Sequence, residues 1–319
     1  MVDRDFIKAL TEAPSVGTAC GPVLTVLSSW FGAAYARTLV PDGFCLFQKA
    51  GASPADLRAA LISHVDEVGG CALGLRPIEA GGGCYTRHWG IRASVFTSSR
   101  LQAFDYLADT ADQAFPVESD LAMLDDETVV LLGDGVRPFR TGWTYLEETT
   151  FDGDVVEGKA LDPRITAYCV AEAVRRLDDP SVGALYVMGE ECAVDVARKA
   201  VTFLSRHAPN LRIIANADVP GLSNLHDGRL DVPAIRIFER NQFVDPSFGI
   251  RMSDRLSARG VPVHLTAARS GSQTFLFTPL APTLSIALPA DGIHLPRVRM
   301  SLVGVERCTD LLAAVVQEA

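Results

Sequence analysis

Leu185-Tyr186-Val187-Met188-Gly189-Glu190-Glu191-Cys192 is the stretch on which the reading of this chain turns. The apolar run Leu185–Met188 reads as a buried strand. At its end stand two adjacent carboxylates, Glu190 and Glu191. Such neighbours repel each other, and a fold tolerates the repulsion where a cation or a proton-transfer role offsets it. An amphipathic helix is expected next, from Ala193 to about Ser205. A Glu-Glu pair is also common in solvated loops. The stretch therefore takes its meaning from others placed in the same way.

Downstream of residue 158 the alternation is regular. Strands are expected at 182–188, 211–217, 233–238, 261–266 and 283–288. Helices are expected from Lys159-Ala160-Leu161-Asp162-Pro163-Arg164 onward, with an apolar face of Ile165, Cys169, Val170, Ala173, Val174 and Leu177, and at 193–205, 246–259 and 304–317. Repeated strand–helix–strand units with short connections imply a mostly parallel sheet covered by helices on both faces. Upstream, Asp3–Leu10 and Gly21–Tyr35 carry apolar residues at helical spacing around a Pro14-Ser15-Val16-Gly17 turn, and 43–48 reads as a short strand. The apolar strand Ala59–Ser63 ends in His64-Val65-Asp66.

In such sheets, sites form beyond the carboxyl ends of the strands. His64, Glu190, Glu191, Asp218 and His294 all fall there, and Asp162 stands at a helix start. Asp66 lies two residues after His64. In extended chain it points the same way, so it can orient the imidazole.

Between Cys71 and Gly158 the texture changes. Gly81-Gly82-Gly83, Gly133-Asp134-Gly135 and Asp152-Gly153-Asp154 are turn signals, with short alternating runs such as Ile91–Phe96 and Thr128–Leu132 between them. A short helix is expected near Ala103–Ala108. This predicts an inserted β-rich domain over 71–158, interrupting a catalytic α/β domain made of 1–70 and 159–319.

Composition bounds the function. The 319 residues are 48% hydrophobic and 21% charged, as in an ordinary globular protein. A net charge of −10 argues against a nucleic-acid-binding surface and against an anionic membrane surface. No apolar run reaches the ~18 residues of a membrane helix, and no signal peptide is evident. The cysteines (20, 45, 71, 84, 169, 192, 308) are odd in number and scattered, with no C-x-x-C pair. They are expected to be reduced thiols of a cytoplasmic protein, and they suggest no cysteine-based zinc site.

Two His, two Asp and a Glu can hold a pair of divalent ions. Imidazole and carboxylate without thiolate suit zinc, cobalt or manganese. One carboxylate must then bridge the pair. Glu190, beside a ligand without being one, can take the proton from the reacting water. The chemistry that follows is metal-assisted hydrolysis.

Motifs along nearly the whole chain resemble the M42 family of metallo-aminopeptidases, the glutamyl and tetrahedral aminopeptidases, which share a clan with other two-zinc exopeptidases. Leu10-Thr11-Glu12-Ala13-Pro14 is similar to the family's Leu-Thr-x-Ala-Pro. Ser63–Gly69 is similar to Ala-His-Met-Asp-Glu-Ile-Gly, and Gly158–Arg164 to Gly-Lys-Ala-Leu-Asp-Asn-Arg. Glu190-Glu191, Asp218-Val219, Pro233–Ile237 and Ile293–Pro296 follow in the family's order.

The resemblance implies a three-layer α/β/α sandwich with a mostly parallel sheet and an inserted small β-barrel-like domain. It implies that His64, Asp162 and Asp218 hold one metal and that Asp162, Glu191 and His294 hold the other. Asp162 would bridge, Glu190 would be general base and acid, and Asp66 would support His64. The activity implied is amide cleavage through a metal-bridged water, most simply as an aminopeptidase acting on a peptide or small amide. Self-assembly into a homo-oligomer is implied too.

Three departures mark a diverged member. Pro163 stands where the family has Asn. In this clan the peptide after the bridging Asp tends to be cis, a form only about 0.5–1 kcal/mol uphill before proline. Ser270-Gly271-Ser272-Gln273-Thr274-Phe275 replaces Ser-Gly-Gly-Thr-Asp-Ala, and Phe275 and Phe277 make the region more apolar. Cys192-Ala193-Val194-Asp195 replaces Val-Gly-Leu-Arg. A rebuilt substrate pocket suits an alternative, a specialised amidase or deacylase for a small acylated or aminoacylated metabolite. A further alternative is a non-catalytic relative kept for binding or assembly. Arg164 reads as a helix-start or packing arginine.

Overall fold

A computed structural model describes residues 2–76, 83–90, 92–121, 129–192, 194–240 and 242–318. In chain order, helices α1 (Arg4–Glu12) and α2 (Gly21–Phe31) precede strands β1 (Tyr35–Val40), β2 (Phe44–Lys49) and β3 (Ala59–His64). Strands β4 (Gly69–Arg76), β5 (Gly83–Trp89), β6 (Leu101–Asp105), β7 (Phe115–Leu121), β8 (Val129–Leu132) and β9 (Thr141–Tyr145) follow, with the short helix α3 (Ala93–Thr97) among them. Next come the hairpin β10 (Thr150–Asp152) and β11 (Val155–Gly158), then α4 (Leu161–Leu177), β12 (Val182–Val187), α5 (Arg198–His207) and β13 (Ile213–Asp218). The chain ends with β14 (Ala234–Glu239), β15 (Gln242–Phe243), α6 (Pro246–Ala258), β16 (His264–Ala268), β17 (Thr283–Ala287), β18 (Val298–Ser301) and α7 (Leu302–Gln317).

The main sheet has the order β1-β2-β12-β3-β13-β17-β14-β15, with β16 beside β14. Its middle, β12-β3-β13-β17, is parallel, and antiparallel pairs flank it on both sides. Alternation along β3 explains the layering. Ala59 and Leu61 face the larger core with α1, α2, α4 and α7, while Ala60 and Ile62 face a smaller one built on Leu204, Leu276 and Phe277. The result is the expected α/β/α sandwich. Among the described residues no helix is long and apolar enough to cross a membrane.

Strands β4-β5-β8-β7-β6-β9 close into a barrel around Phe96, Leu101, Ala103, Leu131 and Trp143. The β10–β11 hairpin lies outside it and pairs with β18. Its Asp152↔Val155 register leaves a two-residue loop at Gly153-Asp154, as the turn signal there implies.

Local readings differ in a few places. Residues 103–108, expected as a helix, begin inside strand β6, which is buried at Leu101, Gln102, Ala103 and Phe104 and so lacks alternation. Residues 93–96 of the expected 91–96 strand belong to helix α3, which buries Ala93 and Phe96 three apart on one face. The helix expected to reach Tyr35 stops at Phe31, and the half-exposed edge strand β1 takes over. Helix α5 begins at Arg198, after a short 3-10 turn over Val194–Ala197. The Gly81-Gly82 turn, Ile91, Thr128 and Ala193 lie outside the described residues.

Candidate metal centre

The residues singled out from the sequence converge at the carboxyl ends of the parallel strands. His64 ends β3, Asp218 ends β13, and Glu190-Glu191 follow β12. Asp162 sits in the first turn of α4 with non-helical angles (φ −86°, ψ 113°), before a cis bond to Pro163. His294 comes from the loop between β17 and β18, with a left-handed φ of 64°.

The distances fall into two linked sets. His64 Nε2 lies 3.6 Å from Asp162 Oδ1 and 3.5 Å from Asp218 Oδ1. His294 Nε2 lies 3.4 Å from Asp162 Oδ2 and 3.2 Å from Glu191 Oε1. In each set the ligand atoms lie within 4.8 Å of one another, and Asp162 offers one oxygen to each. Asp162 Oδ1 is buried and makes no hydrogen bond. Carboxylates and imidazoles facing each other around such an atom fit divalent cations better than any pairing among themselves.

The electrostatics agree. Burial pushes the Glu190 carboxyl well above the usual carboxylate range; Asp218 and Glu191 add to this and His64 opposes it. Burial also raises Glu191, against His294. Burial lowers His294, yet Glu191 and Asp162 outweigh it and lift the imidazole to about 11. His64 is lowered by burial but raised well above its usual range by Glu190, Asp162, Asp218 and Asp66. The cluster therefore demands positive charge, from protons or from metal.

Supporting groups fix these side chains. Asp66 is fully buried, and its Oδ1 lies 3.4 Å from His64 Nδ1. Its hydrogen bonds go elsewhere: Oδ1 accepts from Glu190 N–H at 3.0 Å and Oδ2 from Glu191 N–H at 3.0 Å. His294 Nδ1 lies 3.1 Å from the Gly90 carbonyl, and Tyr145 Oη donates to the His294 carbonyl at 3.1 Å. Nδ1 as donor leaves Nε2 free for a cation. Gly90 has φ 93°, and a Cβ there would stand 2.2 Å from Val68 Cγ1, so glycine alone fits.

Of the other polar residues of this region, Arg236, Glu67 and Lys159 carried no assigned role in the sequence, and Arg164 only that of a helix-start or packing arginine. Arg236, fully buried, donates from Nη2 to Asp218 Oδ2 at 3.0 Å. Glu67 holds Lys159 Nζ at 2.7 Å and Arg164 Nη2 at 3.5 Å. Arg164 also donates to the Leu10 carbonyl at 2.8 Å and packs fully buried. A charge inside an apolar strand, as in Ala234-Ile235-Arg236-Ile237, is the signal that could have singled out Arg236.

His64, Asp162, Glu191, Asp218 and His294 line a cleft of about 500 Å³ with Val219, Pro220, Ser270, Ser272, Phe275 and Ile293. Phe275 faces it, whereas Phe277 is buried in the smaller core below the sheet. Only one of the two phenylalanines therefore shapes the cleft.

No protein-family model matches this sequence, and no curated protein does. Solved structures do match in fold. The TET1 peptidase of Pyrococcus horikoshii, which assembles into a tetrahedron or a large octahedral shell, superposes with a TM-score of 0.79 at 15% identity, covering 98% of both chains. The TET aminopeptidase of a marine sediment thaumarchaeon gives 0.81 at 15% identity, over 98% of this chain and 95% of that one. An aminopeptidase of Desulfurococcus kamchatkensis gives 0.78 at 18%, over 99% and 94%. This chain has the TET aminopeptidase fold. The resemblance read from the motifs thus holds at the level of architecture.

Proposed function

We propose that this chain is a dinuclear metal-dependent hydrolase of amide bonds, most simply an aminopeptidase of the M42 type. The observation that carries the reading is the double set around Asp162, each oxygen turned to a different imidazole, at the floor of a substrate-sized cleft. His64, Asp162 and Asp218 would hold one divalent ion, and Asp162, Glu191 and His294 the other, zinc before cobalt or manganese. Ions bound there would supply Lewis acidity and lower the pKa of water. Glu190 acts as the proton carrier: its carboxylate takes a proton from the attacking water and returns it to the departing amine nitrogen. Asp66 fixes the Glu190-Glu191 backbone, and Gly90 fixes the tautomer of His294.

The proposed substrate is a peptide or small amide. The net charge of −10 supports neither a nucleic-acid partner nor an anionic membrane. The assembly of the Pyrococcus neighbour supports a homo-oligomer, and the scattered thiols support a cytoplasmic setting. The Ser270–Phe275 wall of the cleft favours a second reading, an amidase or deacylase for a small acylated metabolite.

Metal analysis of the wild type, Glu190→Gln and Asp162→Ala tests the proposal, with aminoacyl anilides and N-acyl amino acids as substrates. About two zinc ions per chain are expected. Glu190→Gln should keep both and lose turnover by about a hundredfold or more, and Asp162→Ala should lose both. Absence of metal after reconstitution would leave only a binding or assembly role.

A further inference from the structure

A buried polar chain runs from the metal centre to the wall of the cleft. Arg236 on β14 donates from Nη2 to Asp218 Oδ2 at 3.0 Å. Its Nε donates to Ser285 Oγ at 2.8 Å and lies 2.9 Å from Glu239 Oε1. Glu239, the last residue of β14, is only 3% exposed. Its Oε1 also accepts from Ser285 Oγ, and its Oε2 accepts from Ser272 N–H at 3.0 Å and Ser272 Oγ at 2.9 Å. Ser272 Oγ meets Thr274 Oγ1 at 2.6 Å, and Asn216 Nδ2 donates to that same oxygen at 2.8 Å. Glu239, Ser270, Gly271 and Ser272 all line the cleft.

A guanidinium has one charge to divide. Facing Asp218 alone, Arg236 would draw that carboxylate's electron density toward itself and set a positive charge beside a cation site. Glu239, at the other edge of the guanidinium, takes part of that charge. Its second oxygen meanwhile holds the backbone and hydroxyl of Ser272.

We propose that Glu239 is a positioning residue of this site: by sharing the charge of Arg236 it keeps Asp218 a strong cation ligand, and by holding Ser272 it fixes the substrate wall. The proposal rests on the metal-centre reading above. It makes one residue answerable for two separable properties, zinc affinity and substrate fit. Charge at position 239 governs the first and side-chain reach governs the second.

The test measures zinc affinity by competition with a chromophoric chelator, and KM and kcat on an aminoacyl anilide. The proteins are the wild type, Glu239→Gln, Glu239→Asp and Ser272→Ala. In Glu239→Gln one of the two zinc ions should bind about tenfold more weakly while the other is unchanged. Glu239→Asp keeps the charge but not the reach. It should bind both zinc ions as the wild type does, while KM rises about tenfold and kcat changes little. Ser272→Ala should raise KM with zinc affinity as in the wild type. A Glu239→Gln protein with wild-type affinity for both ions overturns the inference alone; a wild type that binds no zinc overturns the metal-centre reading and this inference with it. If Glu239→Gln does not fold, the other variants decide. Unchanged zinc with raised KM in both supports the proposal, and lost zinc or unchanged KM in either overturns it.

Discussion

At the scale of a residue, Asp66 shows how a role can change between sequence and fold. Its position two after His64 was legible, and so was its capacity to face the imidazole. Its stronger engagement, with the N–H groups of Glu190 and Glu191, joins residues 124 and 125 positions apart and has no local signature. Removing the carboxylate leaves two part-buried donors unmet, at about 1–3 kcal/mol each. Asp66→Ala is therefore expected to lower unfolding free energy by about 3 kcal/mol in a urea titration. Asp66→Asn keeps one acceptor and should lose about half as much. Equal losses would mean that the two N–H groups do not depend on Asp66. The convergence of His64, Glu190, Glu191 and Asp218 was readable because each is a polar group ending or following an apolar strand. Arg236 and Glu239 were not assigned roles, because their partners Asp218, Ser272 and Ser285 come from other strands and loops.

At the scale of an element, the start of α4 is held by charge. Lys159 and Arg164 flank Asp162, and both reach Glu67 in the turn that follows β3. That ties the chain carrying Asp162 to the chain carrying His64 and Asp66. Burial lowers the pKa of Lys159, and Glu67 opposes it. Glu67→Gln strands two cations without an anion and should cost about 3–5 kcal/mol. Lys159→Met leaves Glu67 with Arg164 and should cost less. The double variant should be more stable than Glu67→Gln alone, a coupling that denaturant titrations of the full cycle measure. The long periodic elements, α4 and α7 among them, were legible because their apolar faces repeat over several turns. The short ones were not. Six residues ending in Val95-Phe96 satisfy a period of two as well as of three, and a barrel strand such as β6 has no polar face to alternate.

At the scale of the whole molecule, the candidate metal centre joins parts of the chain that share little else. Residues of β3, β13, the turn after β12, the first turn of α4 and the loop before β18 supply the candidate ligands, and Gly90 and Tyr145, from the barrel strands and their connections, steady His294. Four carboxylates, Asp162, Glu190, Glu191 and Asp218, are held together there. A cation that binds only the folded chain stabilises it by mass action, by about 4 kcal/mol at a thousand times its Kd. For a chain of this size that corresponds to about 5–10 °C in Tm. Chelation should therefore lower the melting temperature by that amount, and zinc should restore it. Asp162→Ala, having lost the group common to both sets, should melt at the same temperature with and without chelator. If the wild type is also indifferent to chelator, the carboxylates are reconciled by protons alone, and the burial that raises Glu190 and Glu191 reflects neutral acids rather than ligands in waiting.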